Sequence, residues 1–268
     1  MVFVAGEDER VGAPTQLTVL QPAGATLDDA ALTELYRYPD GLTHCWVRAN
    51  MITSADGATT VGGESGALAG RGDRAVFFTL RALADVVLVG AGTVRGEGYS
   101  GVTLTDEQRR ARRDRGQTDL PPLAIVSRSG ALDPDAAAFT ATQVRPLIVT
   151  TRRAVPAARD RLGALAEVID GSATDPDVVD EAAVLAALGR RRLLRVLTEG
   201  GPRLLGGVVA RDLLDELCLT LSPLLVGGSS TRVSAGAAAV RSPLRLAHQL
   251  TDPDGYLYLR YLRATGTG

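Results

Sequence analysis

The stretch LTEGGPRLL runs from Leu197 to Leu205. A short apolar run, RLLRVL, leads into it and stops at an acid, Glu199; Gly200, Gly201 and Pro202 follow, and then more apolar residues. The run has the length of a buried strand, and proline suits the first turn of a helix. The segment therefore reads as strand, glycine corner, helix, the repeating unit of an α/β fold. Two glycines at such a corner leave the first N–H groups of the helix bare. Those donors carry the positive end of the helix dipole, and a pyrophosphate is stabilised there. Glu199 beside an anion would repel it, so it is expected to accept hydrogen bonds from backbone or from a ring or ribose hydroxyl. A buried structural carboxylate is the alternative.

The same alternation extends in both directions. HCWVRANMIT (44–53), DVVLVG (85–90), LAIVS (123–127), PLIVT (146–150), AEVID (166–170), LLRVLTE (193–199) and ELCLTLSP (216–223) read as strands. LDDAALTELYRYP (27–39) places Leu27, Ala31, Leu35 and Tyr36 on one helical face and ends at Pro39. DRAVFFTLRALA (73–84) is a helix with Asp73 placed to cap it, and 155–165, 177–190 and 202–214 are helices too. RLAHQLTD (245–252) and YLYLRYLR (256–263) alternate around the turn PDG, as a closing hairpin does. Strands alternating with helices predict a mostly parallel central sheet with helices on both faces, and the hairpin predicts an antiparallel edge. Residues 1–40 read as an arm and helix, and 41–268 as a single domain.

The 268 residues are enough for a sizeable core, and the formal net charge of −2 gives no global field toward nucleic acid or an anionic membrane. All 29 basic residues are arginine, which excludes lysine Schiff bases and the P-loop lysine. Two cysteines and two histidines, widely spaced, make neither a disulfide framework nor a zinc set, so no metal is expected and a reducing cytoplasm is the default. No run of about 18 apolar residues appears, so no membrane span is expected. The polar block DEQRRARRDRGQ (106–117) lacks interleaved aromatics and reads as a solvated helix face or loop, not a nucleic-acid patch. His44 falls inside an apolar run and reads as a core histidine, and His248 falls in an edge strand.

Ligands of open α/β sheets collect beyond the carboxyl ends of the strands. Three more stretches lie there. In VGAGTVRGEGY (89–99), Gly90 and Gly92 allow backbone to approach an anion and Thr93 adds a hydroxyl; Arg95 stands where a third glycine would complete a Rossmann fingerprint. In NMITSADGATT (50–60), Asp56 precedes Gly57, as in an ordinary turn or a catalytic corner. In VSRSG (125–129), Ser127 and Arg128 could hold the 2′-phosphate that separates NADPH from NADH.

Taken in order, S-x-D-G at 54–57, V-G-x-G-T-V at 89–94, the serine-bearing strand end at 127 and T-E-G-G at 198–201 resemble the reductase domain of riboflavin biosynthesis. SPLLVGG (222–228) is similar to that family's A-P-x-x-x-G-G segment. The resemblance covers about residues 44 to 263. It implies the dihydrofolate-reductase-like fold, a homodimer, and NADPH-dependent reduction of a ribosylamino-pyrimidine phosphate, with hydride passing to an imine carbon. It maps cofactor contacts onto Thr93, the neighbouring Val94, Glu97 (where the family usually has Asp), Ser127, Arg128, and Gly200, Gly201 and the turn through Leu204. Substrate contacts map onto Asp56, Ser65 and Glu199, with Asp56 as the catalytic candidate. The H-x-E and P-C-x-x-C of the deaminase half found in bifunctional relatives are absent. The family's D-N-P-x-L and the arginine after it give way to EGYSGV (97–102). A dihydropterin or dihydrofolate-type reductase on the same scaffold, or a nucleotide-binding module without turnover, are the other readings.

Overall fold

The computed structural model describes residue 24 and residues 26–236 and 239–264. Its strands are β1 (Trp46–Ser54), β2 (Val86–Gly90), β3 (Leu123–Val126), β4 (Leu147–Thr150), β5 (Glu167–Asp170), β6 (Arg195–Thr198), β7 (Glu216–Ser222), β8 (Leu244–Thr251) and β9 (Leu257–Arg263). They form one nine-stranded sheet in the order β5-β4-β3-β2-β6-β1-β7-β9-β8. The pairings from β5 through β7 are all parallel, and β9 and β8 are antiparallel. The mostly parallel sheet with an antiparallel C-terminal hairpin is the architecture expected from the alternation.

The helices are α1 (Asp29–Leu35), α2 (Arg71–Leu83), α3 (Ala91–Glu97), α4 (Asp106–Asp114), α5 (Ala137–Thr140), α6 (Val155–Leu162), α7 (Glu181–Arg190) and α8 (Pro202–Ala210). From β2 to β5 the chain steps outward in one direction, and β6 then returns between β2 and β1. Crossovers between parallel strands are right-handed, so reversing direction moves the helices to the other face. Two cores record this. On one face Val76 and Leu80 of α2 pack with Ala158 and Leu162 of α6. On the other, Val184 and Leu188 of α7 pack with Leu205 and Val208 of α8. The reversal lies between β2 and β6.

Several local expectations are corrected. Gly70, not Asp73, is the N-cap of α2, and Asp73 lies in the first turn. Leu27 is 39% exposed, so the packed face of α1 begins further along, with half-buried Leu32 and Leu35, and is completed by buried Tyr36. His44 precedes β1 and is exposed, because the strand starts two residues later than its apolar run suggests. α3 was hidden in a glycine-rich stretch of poor helix propensity. The polar block does form a helix, α4, with a capping box of Thr105 and Gln108. Its Arg112, however, is wholly buried. That guanidinium donates to Ala82 O, Ala84 O and Thr118 O, closing the carboxyl end of α2.

A buried ion cluster joins the hairpin to the parallel sheet. Glu216 lies opposite Arg48 in the β1–β7 register, and both are fully buried. The Glu216 carboxylate accepts hydrogen bonds from Arg48, Arg260 and the Trp46 indole N–H. Burial alone would raise the Glu216 carboxyl, but the two guanidiniums outweigh it and hold it below its ordinary value. The Arg48 guanidinium stacks 3.9 Å above the Tyr38 ring.

Candidate active site

Seven parallel strands end on the same side of the sheet, and every candidate site residue lies on that side or in the segments leaving it. From β3 to β7 there are four strand steps, about 19 Å at the usual spacing. That length suits an extended dinucleotide followed by a small ring.

The two glycine corners meet. Gly90 N donates to Gly200 O at 3.3 Å. A Cβ on Gly201 would lie 3.2 Å from Gly90 Cα, and Gly201 adopts φ +88, so the position is closed to other residues on two counts. Gly201 is also the N-cap of α8, with Pro202 after it, so the first amides of that helix open at the corner. Across it, Thr93 is the third residue of α3, and its side chain comes within 3.1 Å of where a Gly200 Cβ would be. Gly92 is different. It is exposed, and a Cβ there would meet nothing within 4 Å. The glycine pair 90/201 is explained by chain packing, whereas Gly92 has no such reason. Because its N–H is already used, Gly90 shapes the corner and offers no donor. Val94 and Leu204 point into the two cores, leaving only their main chain for a ligand.

Glu199 directly follows β6, with a side chain only 2% exposed. Arg81 of α2 grips it with Nε at 2.7 Å from Oε1 and Nη2 at 2.6 Å from Oε2. The Tyr99 hydroxyl lies 3.1 Å from Oε2 and 3.1 Å from the Glu199 carbonyl. Among the described residues the Glu199 carboxylate accepts from a guanidinium and a phenol and not from backbone, as the alternative reading of a buried structural carboxylate has it. Burial pushes the Tyr99 phenol well above its ordinary value, with the adjacent Glu199 charge adding to the effect. At the end of α3, Glu97 Oε1 accepts from Ser65 N at 3.1 Å, so a cofactor candidate and a substrate candidate are joined to each other.

Asp56 follows β1, next to β6 in the sheet. Its carboxylate accepts from the Ser54 hydroxyl, from Val226 N and, at 2.7 Å, from Gly227 N. The Ser54 hydroxyl first, then the two amides, pull its carboxyl down to about 2. Ala55 N also donates to Leu224 O, so the turn after β1 and the loop after β7 are stitched together. At the end of β3 the Ser127 hydroxyl accepts from Gly130 N and is buried, while Arg128 is exposed with no ion pair among the described residues. Arg152 and Arg153, the other guanidiniums nearby, are paired with Asp170 and Asp177.

The structure thus gathers Gly92, Thr93, Glu199, Gly200 and Gly201 at the corner where the strand order reverses, with Ser65 and Asp56 on neighbouring loops, Glu97 at the end of α3, and Arg128 just past the end of the strand beyond β2. Sequence reasoning missed Arg81 and Tyr99. The available signal was a single charge inside VFFTLRALA (76–84), which has to find a partner when its helix is buried. Among the described residues no group of His, Cys, Asp or Glu could hold a metal, and no helix is long and apolar enough to cross a membrane.

Comparison with known proteins agrees with this architecture. A pyrimidine reductase-like protein from Corynebacterium diphtheriae superimposes with a TM-score of 0.74 at 26% identity, covering 83% of this chain and 93% of that one. The 2,5-diamino-6-ribosylamino-4(3H)-pyrimidinone 5′-phosphate reductase of Archaeoglobus fulgidus is 26% identical over 149 residues, 56% of this chain and 66% of that protein. The protein of the same name from Aquifex aeolicus is 30% identical over 171 residues, 63% of this chain and 70% of its own. The matched stretch therefore spans about two thirds of each of these curated relatives. Residues 45–258 match the RibD C-terminal domain, and the chain belongs to that family.

Proposed function

We propose that this chain is an NADPH-dependent reductase of riboflavin biosynthesis, acting on a ribosylamino-pyrimidine phosphate such as 5-amino-6-(5-phosphoribosylamino)uracil or its diamino precursor. The observation that carries the reading is the meeting of the two glycine corners where the strand order reverses, the place at which open α/β sheets bind nucleotides. The residues present fit the cofactor. The amides of α8 and the open face at Gly92 suit its phosphates, Thr93 adds a hydroxyl, and Arg128 supplies an uncommitted guanidinium for a 2′-phosphate.

When bound, NADPH supplies the hydride; this chain supplies position and field. Hydrogen bonds from Ser54, Gly227 and Val226 favour the ionised form of Asp56, which suits it to orient the substrate as a carboxylate. The proton that the reduced nitrogen needs comes from bound water, directly or relayed through that carboxylate. Edge strand β8 and its neighbour expose Leu244, Leu246 and Leu257, a face suited to the homodimer that the resemblance implies. Free Cys45 and Cys218 suit a reducing cytoplasm.

The test is consumption of NADPH by the purified chain with 2,5-diamino-6-ribosylamino-4(3H)-pyrimidinone 5′-phosphate, the substrate in its relatives' name. Turnover with that substrate supports the reading, and turnover with dihydropterins alone replaces it. One observation favours the pterin alternative: EGYSGV (97–102) carries no basic residue to meet a substrate phosphate. NADPH binding with no turnover on either would leave a nucleotide-binding module.

A further inference from the structure

The segment 97–99 touches both sides of the corner. It leaves α3 through Gly98, whose left-handed φ of 62 turns the chain back so that Tyr99 N donates to Val94 O at 3.3 Å. Glu97 then faces Ser65, and Tyr99 faces Glu199. A carboxylate has about four lone-pair sites. Arg81 occupies two on Glu199 and Tyr99 a third. The phenol also reaches the main-chain carbonyl of the same residue, which fixes the carboxylate relative to its own backbone. Arg81 is held in turn by Glu199 and by the Phe77 ring, 4.1 Å from its guanidinium carbon. Its side chain is 12% exposed, against 2% for Glu199, and its Nη1 makes no hydrogen bond among the described residues.

We infer that Tyr99 is a positioning residue for substrate recognition: through Glu199 it locks the Arg81 guanidinium so that Nη1 faces an acceptor on the pyrimidine or its ribosyl phosphate. This rests on the reductase reading above. Among the described residues Tyr99 meets Glu199 through its hydroxyl and Arg81 through its ring, whose centroid lies 5.5 Å from the guanidinium carbon; Phe at 99 keeps the ring and removes only the hydroxyl. Burial raises the phenol further above its ordinary value, so the hydroxyl remains a donor at neutral pH.

The test is a double-mutant cycle read by calorimetric binding of the pyrimidine phosphate without NADPH, and by KM and kcat with it. Tyr99→Phe is expected to weaken pyrimidine binding and raise KM about tenfold, the scale of a hydrogen bond to a charged group. NADPH affinity and kcat should change less than about twofold, and the melting temperature should stay within about 4 °C. In a Glu199→Gln background the same substitution should do almost nothing, because its route is already cut. Arg81→Lys provides a second background, with the same expectation, should Glu199→Gln fold poorly. An equal loss in the wild-type and altered backgrounds overturns the inference, as does unchanged pyrimidine binding by Tyr99→Phe. A wild-type chain that neither binds nor reduces the pyrimidine overturns the reductase reading as well, so the two failures are told apart.

Discussion

Asp56 shows how far one residue's role depends on contacts that no local pattern reveals. An Asp-Gly after a strand is an ordinary turn signal, and only the fold brings Val226 and Gly227, 170 and 171 positions away, onto its carboxylate. Its carboxyl is depressed from 3.8 to about 2, so the anchoring it provides is complete above about pH 4 and is lost as pH falls toward 2. A chemical-shift titration of the Val226 and Gly227 amides should therefore be flat through neutrality and turn near pH 2; a midpoint at the ordinary carboxyl value would mean the anchor is absent in solution. Asp56→Asn keeps the shape but removes the charge. It should raise the substrate KM severalfold and leave NADPH affinity unchanged, measured in steady state and by titration respectively. Glu199 had the opposite history. An acid at the end of an apolar run left a buried structural carboxylate as one of two readings, while its partner Arg81 lies 118 positions away and was not legible.

Among the elements, strands were read best, since short apolar runs bounded by glycine and charge leave few alternatives. Helices α3 and α5 were invisible, because seven residues with two glycines and four residues without a periodic face carry too little signal. Helix α4 was recognised as polar, but its inward Arg112 was not. One buried arginine in a row of exposed and half-buried ones cannot be told apart by type. It closes three carbonyls at the end of α2 and the loop beyond α4. Burial pulls its guanidinium down to about 10, so it stays charged at neutral pH. Replacing Arg112 with Ala leaves those acceptors unpaired and opens a cavity, and should cost about 3 kcal/mol or more. A fall in the urea midpoint at constant slope checks this. An unchanged midpoint would mean that water satisfies the carbonyls equally well.

Across the whole molecule, the mostly parallel sheet and the antiparallel hairpin were legible from alternation alone, and the candidate residues were placed at the carboxyl ends of the strands by where open α/β sheets bind ligands. The strand order was not, because which strands neighbour β6 is decided by long-range packing of two separate cores. That order makes the reversal at β2 and β6 and aligns Arg128 one strand beyond it. Arg128→Ala should weaken NADPH binding more than NADH binding, and equal losses in the two titrations would move the 2′-phosphate elsewhere. The glycine corners need separating, since Gly90 and Gly201 are required by their own contact whereas Gly92 faces open space. Alanine at 92 meets no atom and favours the helix it stands in, so Gly92→Ala should melt at or slightly above the wild-type temperature. The most direct measurement is NADPH titrated into wild type and Gly92→Ala side by side. Phosphates lying against that bare main chain predict tight binding by the wild type and an affinity at least about tenfold weaker in the intact, well-folded variant. Equal affinity in the two, or no binding by either, would contradict a nucleotide site at the corner.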